Sequence, residues 1–208
     1  NGDNRLMPYY ITDGTTARES EGLVVWSEAY STTATTHVDI EMASAQSAGY
    51  NKFILELYGI DLFENTAQLR LRPMTGSNAV DGDGCYGGFI VHGEGNGSVT
   101  AFSTNYTNDA AIPLSGKRAG AELSGGYYGN YTIHVSFNDV GGVGASPNYY
   151  WHGTHRLHGT YASQIIGGGT HAGAATTYGL RLETDYPSNN YLLSYGYTLY
   201  ALKSGSGH

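Results

Sequence analysis

The chain is poor in cysteine and in long apolar runs, and each shortage argues against a class of protein. Its single cysteine, Cys85, excludes an internal disulfide framework. A lone cysteine is more often a small buried hydrophobe than a nucleophile. No apolar run approaches the roughly 18 residues of a membrane span, so we expect no membrane insertion. Stability must therefore come from packing, and from subunit association if the protein works outside a cell.

Charged residues are also scarce, at 13% of the sequence, and the formal net charge is −8. The 10 basic residues are scattered along the chain. Their only close pairs are Arg70 with Arg72 and Lys117 with Arg118. A protein that grips nucleic acid needs clustered Lys and Arg. We therefore expect no nucleic-acid partner.

Glycine and tyrosine are abundant, with 31 and 19 residues, and hydrophobic residues make up 40% of the chain. Glycine serves tight turns, and tyrosine supplies contact area with a polar tip. This balance is not that of a cytosolic enzyme and suits a sheet-rich extracellular or virion surface. The length of 208 residues is enough for one large β domain.

Apolar and polar residues alternate with a period of two in many short stretches, whereas helix signals are almost absent. The best helix candidate, 41–48, has no apolar stripe. The clearest strand candidates are 37–42, 52–57, 131–137, 180–183 and 197–202, with shorter ones at 23–26, 88–92, 99–102 and 163–166. Half-polar faces favour antiparallel pairing. The pattern predicts an all-β protein, an antiparallel, jelly-roll-like β-sandwich of about nine or ten strands.

One domain is the economical organisation, because no fixed-period repeat occurs. We expect the sandwich to span 22–203. The polar segment 1–21 is predicted to be a lead-in or the end of a stalk, and 204–208 a flexible tail. The chain has no initiator Met and no visible secretory signal, so we expect it to begin after processing or partway through a longer polypeptide.

A glycine-flanked loop predicted at 139–159 contains the strongest binding chemistry. Its candidate ligand-binding residues are Tyr149, Tyr150, Trp151, His152 and Arg156. Aromatic faces stack on the C–H faces of sugars, and tyrosine hydroxyls form hydrogen bonds with sugar oxygens. The alternative is structural: Trp151 and one of the tyrosines fill the core or a subunit seam, as most large aromatics do.

Two clusters suggest metal ligands, and neither has the pattern of a metal site. Asp81 and Asp83 resemble a calcium loop, but the twelfth position of an EF-hand, which needs Glu, is His92. A tight Asp/Gly turn is the plainer account. The histidines at 152, 155 and 158 do not share one face of a strand. We expect no metal and no cofactor.

No motif for nucleophilic catalysis is present. The sequence lacks Gly-x-Ser-x-Gly, and Cys85 has no activating neighbours. The glycine-rich stretch 93–98 is not a dinucleotide fingerprint, since its third glycine is missing. We expect a protein that binds and is not an enzyme.

Several stretches carry a resemblance to a known family. Residues 49–60 read Gly-Tyr-Asn-Lys-Phe-Ile-Leu-Glu-Leu-Tyr-Gly-Ile, and 69–73 read Leu-Arg-Leu-Arg-Pro. Trp26, the triplet 38–40, the turn-rich 78–86 and the closing stretch 196–203 add to this pattern. Across roughly 23–90 and the C-terminus, the chain resembles a β-sandwich domain common in bacteriophage tail-fibre, receptor-binding and related virion proteins. Ala201 departs from the pattern, because glycine is commoner there in the family.

The resemblance implies a non-enzymatic virion part, often trimeric, at a tail tip, a fibre knob or a capsid appendage. We therefore expect a phage virion structural protein, the head of a tail fibre or similar appendage, located in the extracellular particle. Its expected partners are two further copies in a homotrimer, other virion proteins, and a glycan or receptor on the host surface. The matched motifs are strands and turns, so the resemblance assigns no ligand residues.

Three alternatives share this composition. A capsid decoration or head-fibre protein would turn the aromatics at 149–151 towards a protein surface. A carbohydrate-binding module of a secreted bacterial protein would be monomeric, with one aromatic platform. A glycan-degrading tail enzyme would show carboxylates converging in a groove.

Overall fold

The structure is a computed structural model, and its description is confined to the residues with a defined placement. These residues are 11–12, 17–18, 23–62, 68–75, 84–94, 102–103, 106–109, 111–114, 129–137, 147–156, 162–171, 179–184 and 192–202. Within them, no helix is both long enough and apolar enough to cross a membrane.

The described chain is nearly all strand. The strands in chain order are β1 (Ile11–Thr12), β2 (Ala17–Arg18), β3 (Val24–Ser31), β4 (His37–Glu41), β5 (Lys52–Leu62), β6 (Leu69–Met74), β7 (Cys85–Glu94), β8 (Phe102–Ser103), β9 (Tyr106–Asp109), β10 (Ile112–Pro113), β11 (Gly129–Phe137), β12 (Pro147–Arg156), β13 (Ala162–His171), β14 (Gly179–Thr184) and β15 (Leu192–Leu202). The one helix among these residues is α1 (Ala43–Ser47).

The strands form two main sheets with antiparallel pairing throughout. The large sheet has nine strands in the order β3-β15-β5-β11-β12-β13-β7-β8, with β9 also paired to β7. The small sheet has four strands in the order β10-β6-β14-β4. The short β1 and β2 pair with each other.

Alternation along the strands places one face of each sheet in the core. In β5, Phe53, Leu55 and Leu57 are buried. In β14, Leu180 and Leu182 are buried while Arg181 and Glu183 between them are partly exposed. The inward residues of both sheets form one cluster of buried side chains. The protein is therefore an all-β, antiparallel, sandwich-like fold, and that prediction is confirmed.

The helix α1 packs beside the edge strand β3. The carboxylate of Glu41 accepts hydrogen bonds from the backbone N–H and the hydroxyl of Ser44, at 2.8 and 2.6 Å. The indole of Trp26 donates a hydrogen bond to the hydroxyl of Ser44 at 3.3 Å, and its ring lies 5.4 Å from that of Tyr50. Helix was thus found at the best candidate, 41–48, though only for a little more than one turn.

The described residues form 15 strands, several of them only two residues long, where about nine or ten were expected. The position of one strand also differs from the prediction. The prediction of a loop at 139–159 is wrong over β12, because β12 is a strand in the interior of the large sheet. The order of the large sheet keeps β11, β12 and β13 adjacent, as expected for consecutive antiparallel strands. The lead-in 1–21, apart from β1 and β2, and the tail 204–208 lie outside the described residues.

Candidate functional site

The two sheets present chemically different outer faces, meaning the sides turned away from the core. On the small sheet, Arg181 donates two hydrogen bonds to the carboxylate of Asp39, at 2.6 and 2.7 Å. Arg72 reaches Glu183 at 3.4 Å. The hydrogen bond with Asp39 raises the pKa of Arg181 despite the opposing effect of burial. The charges on this face are therefore occupied with one another.

The outer face of the large sheet instead carries tyrosine, histidine, threonine and isoleucine side chains. Tyr150 is 51% exposed, Ile166 43% and Tyr58 37%. Monomeric proteins seldom leave many such side chains uncovered side by side, and contiguous apolar patches often mark interaction sites. This face is the candidate binding surface.

The centre of this face is a cluster of His134, Tyr150 and His152, the histidine–tyrosine cluster. His134 of β11 lies directly opposite Tyr150 of β12, and their ring centroids are 6.1 Å apart. The ring of His152 lies 6.5 Å from Tyr150 and 6.5 Å from His134, with the two imidazole planes inclined by 28°. All three side chains are exposed. They form a continuous surface of flat rings with polar edges.

The structure divides the predicted site residues between the two faces of β12. Tyr149 and Trp151 are buried in the core, at 4% and 0% exposure. Tyr150 and His152 point to the outer face. Arg156 is the last residue of β12, and its side chain lies outside the described part of the structure. Tyr149 and Trp151 therefore fill the core, as the structural alternative proposed, because successive side chains of a strand point to opposite faces.

The packing of Trp151 explains why it belongs inside. Gly167 lies opposite it on β13, and a Cβ atom added to Gly167 would stand 2.2 Å from Cζ2 of the indole. The ring occupies the space that a side chain on β13 would take. Glycine at this position is thus required by the close approach of the indole.

His134 is the member of the cluster that sequence reasoning missed as a site residue. It lies on the polar face of the strand predicted at 131–137, but its contact with Tyr150 depends on the pairing of β11 with β12. The sequence carries no clear signal for that pairing, because aromatic residues occupy both faces of β12 at Tyr149, Tyr150 and Trp151.

A depression of about 360 Å³ opens beside the cluster, on the same outer face. Its lining comes from three adjacent strands, β5, β11 and β12, and comprises Glu56, Leu57, Tyr58, Asn130, Tyr131, Thr132, His152, Gly153 and Thr154. Its volume is within the range of small-molecule sites, roughly 300–1,000 Å³. His152 belongs to both the cluster and the depression.

A β-bulge in β5 shapes this depression. Between the pairs Gly129–Ile60 and Tyr131–Leu57, two residues of β5 face the single Asn130 of β11. Gly59 at the bulge has a φ of 61°. Its N–H donates to the side-chain oxygen of Asn130 at 3.4 Å, and its carbonyl accepts from the hydroxyl of Ser194 at 2.7 Å. A bulge bends the strand and increases its twist, which opens the face locally.

Among the residues that the structure describes, Glu56 is the one carboxylate in the lining of the depression. It accepts a hydrogen bond from the hydroxyl of Tyr200 at 3.3 Å. Partial burial raises the pKa of Tyr200, and the negative charge of Glu56 adds to the rise. The phenol is therefore a stable donor to the carboxylate at neutral pH.

Among the residues described, no group of three or more His, Cys, Asp or Glu side chains has the geometry to hold a metal ion. Cys85 is a buried free cysteine. Asp81, Asp83 and His158 lie outside the described residues, so the expectation of no metal at those positions stays a prediction.

The chain was compared with family models, curated proteins and solved structures, and none of them matches it.

Proposed function

We propose that this protein is a binding component of a phage virion, the head of a tail fibre or a similar appendage. Its outer face of the large sheet would engage a glycan on the host surface. The observation that carries the proposal is the exposed histidine–tyrosine cluster of His134, Tyr150 and His152, whose ring centroids lie 6.1–6.5 Å apart. The virion setting rests on the family resemblance of the sequence.

The chemistry of the cluster supports a glycan more than a charged partner. Tyrosine and imidazole rings offer faces for the C–H side of a sugar, and their polar edges offer hydrogen bonds. The neighbouring cross-strand side chains Thr132 and Ile166 carry no charge. A partner recognised through salt bridges would find no counter-charge at these two neighbouring positions.

The arrangement also favours binding over turnover. Hydrolysis of a glycosidic bond generally uses two carboxylates that flank it. The described part of the chain places one carboxylate, that of Glu56, in the lining of the depression. A weak single site would gain from multiple copies, because avidity in a trimer raises the overall affinity without new contacts.

The proposal is tested by measuring binding of the labelled chain to a panel of bacterial cells and isolated surface polysaccharides. We expect binding to a subset of the panel that periodate oxidation of the glycans abolishes and protease treatment of the cells leaves intact. Binding that survives periodate and is lost with protease would contradict the glycan partner and favour a protein one. A complete lack of binding across the panel would contradict the proposal as well.

A capsid decoration protein remains the closest rival, because it shares the resemblance and differs in its partner. It predicts that Tyr150 and His152 contact another virion protein. It therefore predicts no binding to the cells and polysaccharides of the panel, and the same experiment separates the two functions.

A further inference from the structure

The depression on the outer face of the large sheet has the lining of a sugar pocket. We propose that it holds one uncharged sugar unit and rejects sugars that bear a carboxylate. This inference rests on the proposed glycan-binding function and names the class of sugar that the site takes.

The shape of the depression is built into the backbone. The bulge at Gly59 is tied to both neighbouring strands, through the side chain of Asn130 on β11 and that of Ser194 on β15. Tyr58 leans over Gly196 on β15, where an added Cβ would lie 2.1 Å from its ring. The backbone beside the depression is thus held in place by these two hydrogen bonds before any ligand arrives. A preformed site loses less entropy on binding.

The polar groups of the depression form a small grid. Thr132 lies directly opposite Glu56 on one side and His152 on the other, so the three side chains make one row across the strands. Asn130 and Thr154 face each other in the next row on the same side of the sheet. Neighbouring strands lie about 4.8 Å apart, a spacing comparable to the width of one pyranose ring.

This grid offers both donors and acceptors, as sugar hydroxyls require. The carboxylate of Glu56 accepts hydrogen bonds, the threonine hydroxyls and the imidazole do both, and the amide of Asn130 has donors besides the oxygen that Gly59 uses. Tyr58 adds an aromatic wall. A flat apolar ligand would leave this set unsatisfied, which is unfavourable for buried polar groups.

The charge of the depression sets its selectivity. Glu56 contributes a carboxylate, and among the residues that the structure describes neither Lys nor Arg lines the depression. A sugar carboxylate placed on this grid would meet Glu56 without a compensating cation. Since two like charges about 4 Å apart repel by about 1 kcal/mol even in water, acidic sugars are expected to bind at least five-fold more weakly than neutral ones.

His152 belongs to both the depression and the histidine–tyrosine cluster, so the two lie side by side on the outer face. A sugar in the depression would place the next unit of the glycan over the rings of His152 and Tyr150. The depression thus selects the unit, and the histidine–tyrosine cluster supports its neighbour.

The experiment is an amide NMR titration of the full chain with methyl glycosides of glucose, galactose, mannose and N-acetylglucosamine. The acidic probes are methyl glucuronide and methyl sialoside. We expect saturable shifts with at least one neutral probe, at the amides of Gly59, Asn130, Thr132 and Gly153. We expect none with the acidic probes at the same concentrations.

Two variants and one control sharpen this test. Glu56→Gln should let the acidic probes bind, because the amide has nearly the shape of the carboxylate and carries no charge. Thr154→Val, an exposed substitution of similar shape, should weaken neutral binding. Glu28→Gln makes the same change of charge on β3, outside the depression, and should change neither.

The inference is overturned if no neutral probe gives saturable shifts, if the shifts lie on another surface, or if acidic probes bind as tightly as neutral ones. Its failure is distinguishable from failure of the proposed function. Periodate-sensitive binding to cells without shifts at the depression would reject the sugar pocket alone. Shifts at the depression in a chain that binds no cell or polysaccharide would reject the proposed function alone.

Discussion

At the scale of single residues, β12 separates structure from binding by alternation. Trp151 is fully buried, whereas the adjacent Tyr150 is 51% exposed. Truncating a buried tryptophan to alanine costs about 3–5 kcal/mol, while surface substitutions usually change stability by no more than about 0.5 kcal/mol. A loss of binding in a Trp151 variant would therefore report on folding, and only a Tyr150 variant reports on the surface.

Gly167→Ala tests the packing of Trp151 directly. The added methyl would stand 2.2 Å from the indole, so the ring or the strand must shift. Overpacking of this kind typically lowers the free energy of unfolding by about 1–3 kcal/mol. Urea unfolding followed by tryptophan fluorescence measures the change.

The adjacent Gly168 supplies the matched control. A Cβ there would meet its nearest atom, the carbonyl oxygen of Tyr149, at an ordinary 3.5 Å. Gly168→Ala should leave the free energy of unfolding within about 0.5 kcal/mol of wild type. Equal effects of the two substitutions would show that the contact with Trp151 is not what requires glycine.

At the scale of the elements, the bulge in β5 links the fold to the candidate site. Gly59 has a φ of 61°, a conformation that costs an L-residue roughly 1–2 kcal/mol. Gly59→Ala should lower the free energy of unfolding by about that amount, although a Cβ there is 3.9 Å from its nearest neighbour, Tyr30. Urea unfolding gives the value. An unchanged free energy of unfolding would show that the backbone conformation at Gly59 does not require glycine.

The sandwich could be predicted from sequence because its inward residues follow a period of two. Phe53, Leu55 and Leu57 are an example, since polar or half-exposed residues separate them and the core buries all three. The strand β12 was missed because its sequence does not alternate clearly between apolar and polar residues. Its buried Tyr149 and Trp151 alternate with the exposed Tyr150, so both faces read as aromatic in one dimension.

The depression was beyond prediction for a different physical reason. Glu56, Asn130 and Thr154 are far apart in the chain and come together only through the pairing of β5 with β11 and of β11 with β12. A one-residue change of register would turn each side chain to the other face. Sequence reasoning identified His152 as a site residue, but it had no means of joining it to Glu56.

At the scale of the whole molecule, the outer faces of the two sheets differ in chemistry. The small sheet holds paired charges, with Asp39 and Arg181 joined by two hydrogen bonds. The large sheet exposes rings and hydroxyls around Tyr150. A flat face of this kind suits a ligand that lies across several strands, such as an extended glycan.

The proposed homotrimer is tested by the native mass of the chain in solution. We expect light scattering to give three times the chain mass of 22.2 kDa. In the trimer, each copy would present its own histidine–tyrosine cluster, and binding to a multivalent surface would exceed that of one site. A monomeric mass would contradict the trimer and favour the carbohydrate-binding module.

In the proposed function, the outer face of the large sheet binds glycan through Tyr150. The most direct test is the affinity of Tyr150→Ala for a periodate-sensitive polysaccharide, compared with Tyr30→Ala, which removes a 65% exposed tyrosine from the edge strand β3. Stacking on an aromatic ring is worth about 1 kcal/mol or more, so Tyr150→Ala should weaken binding about ten-fold while Tyr30→Ala leaves it unchanged. Equal affinities of wild type and Tyr150→Ala, with both folded, would contradict the account.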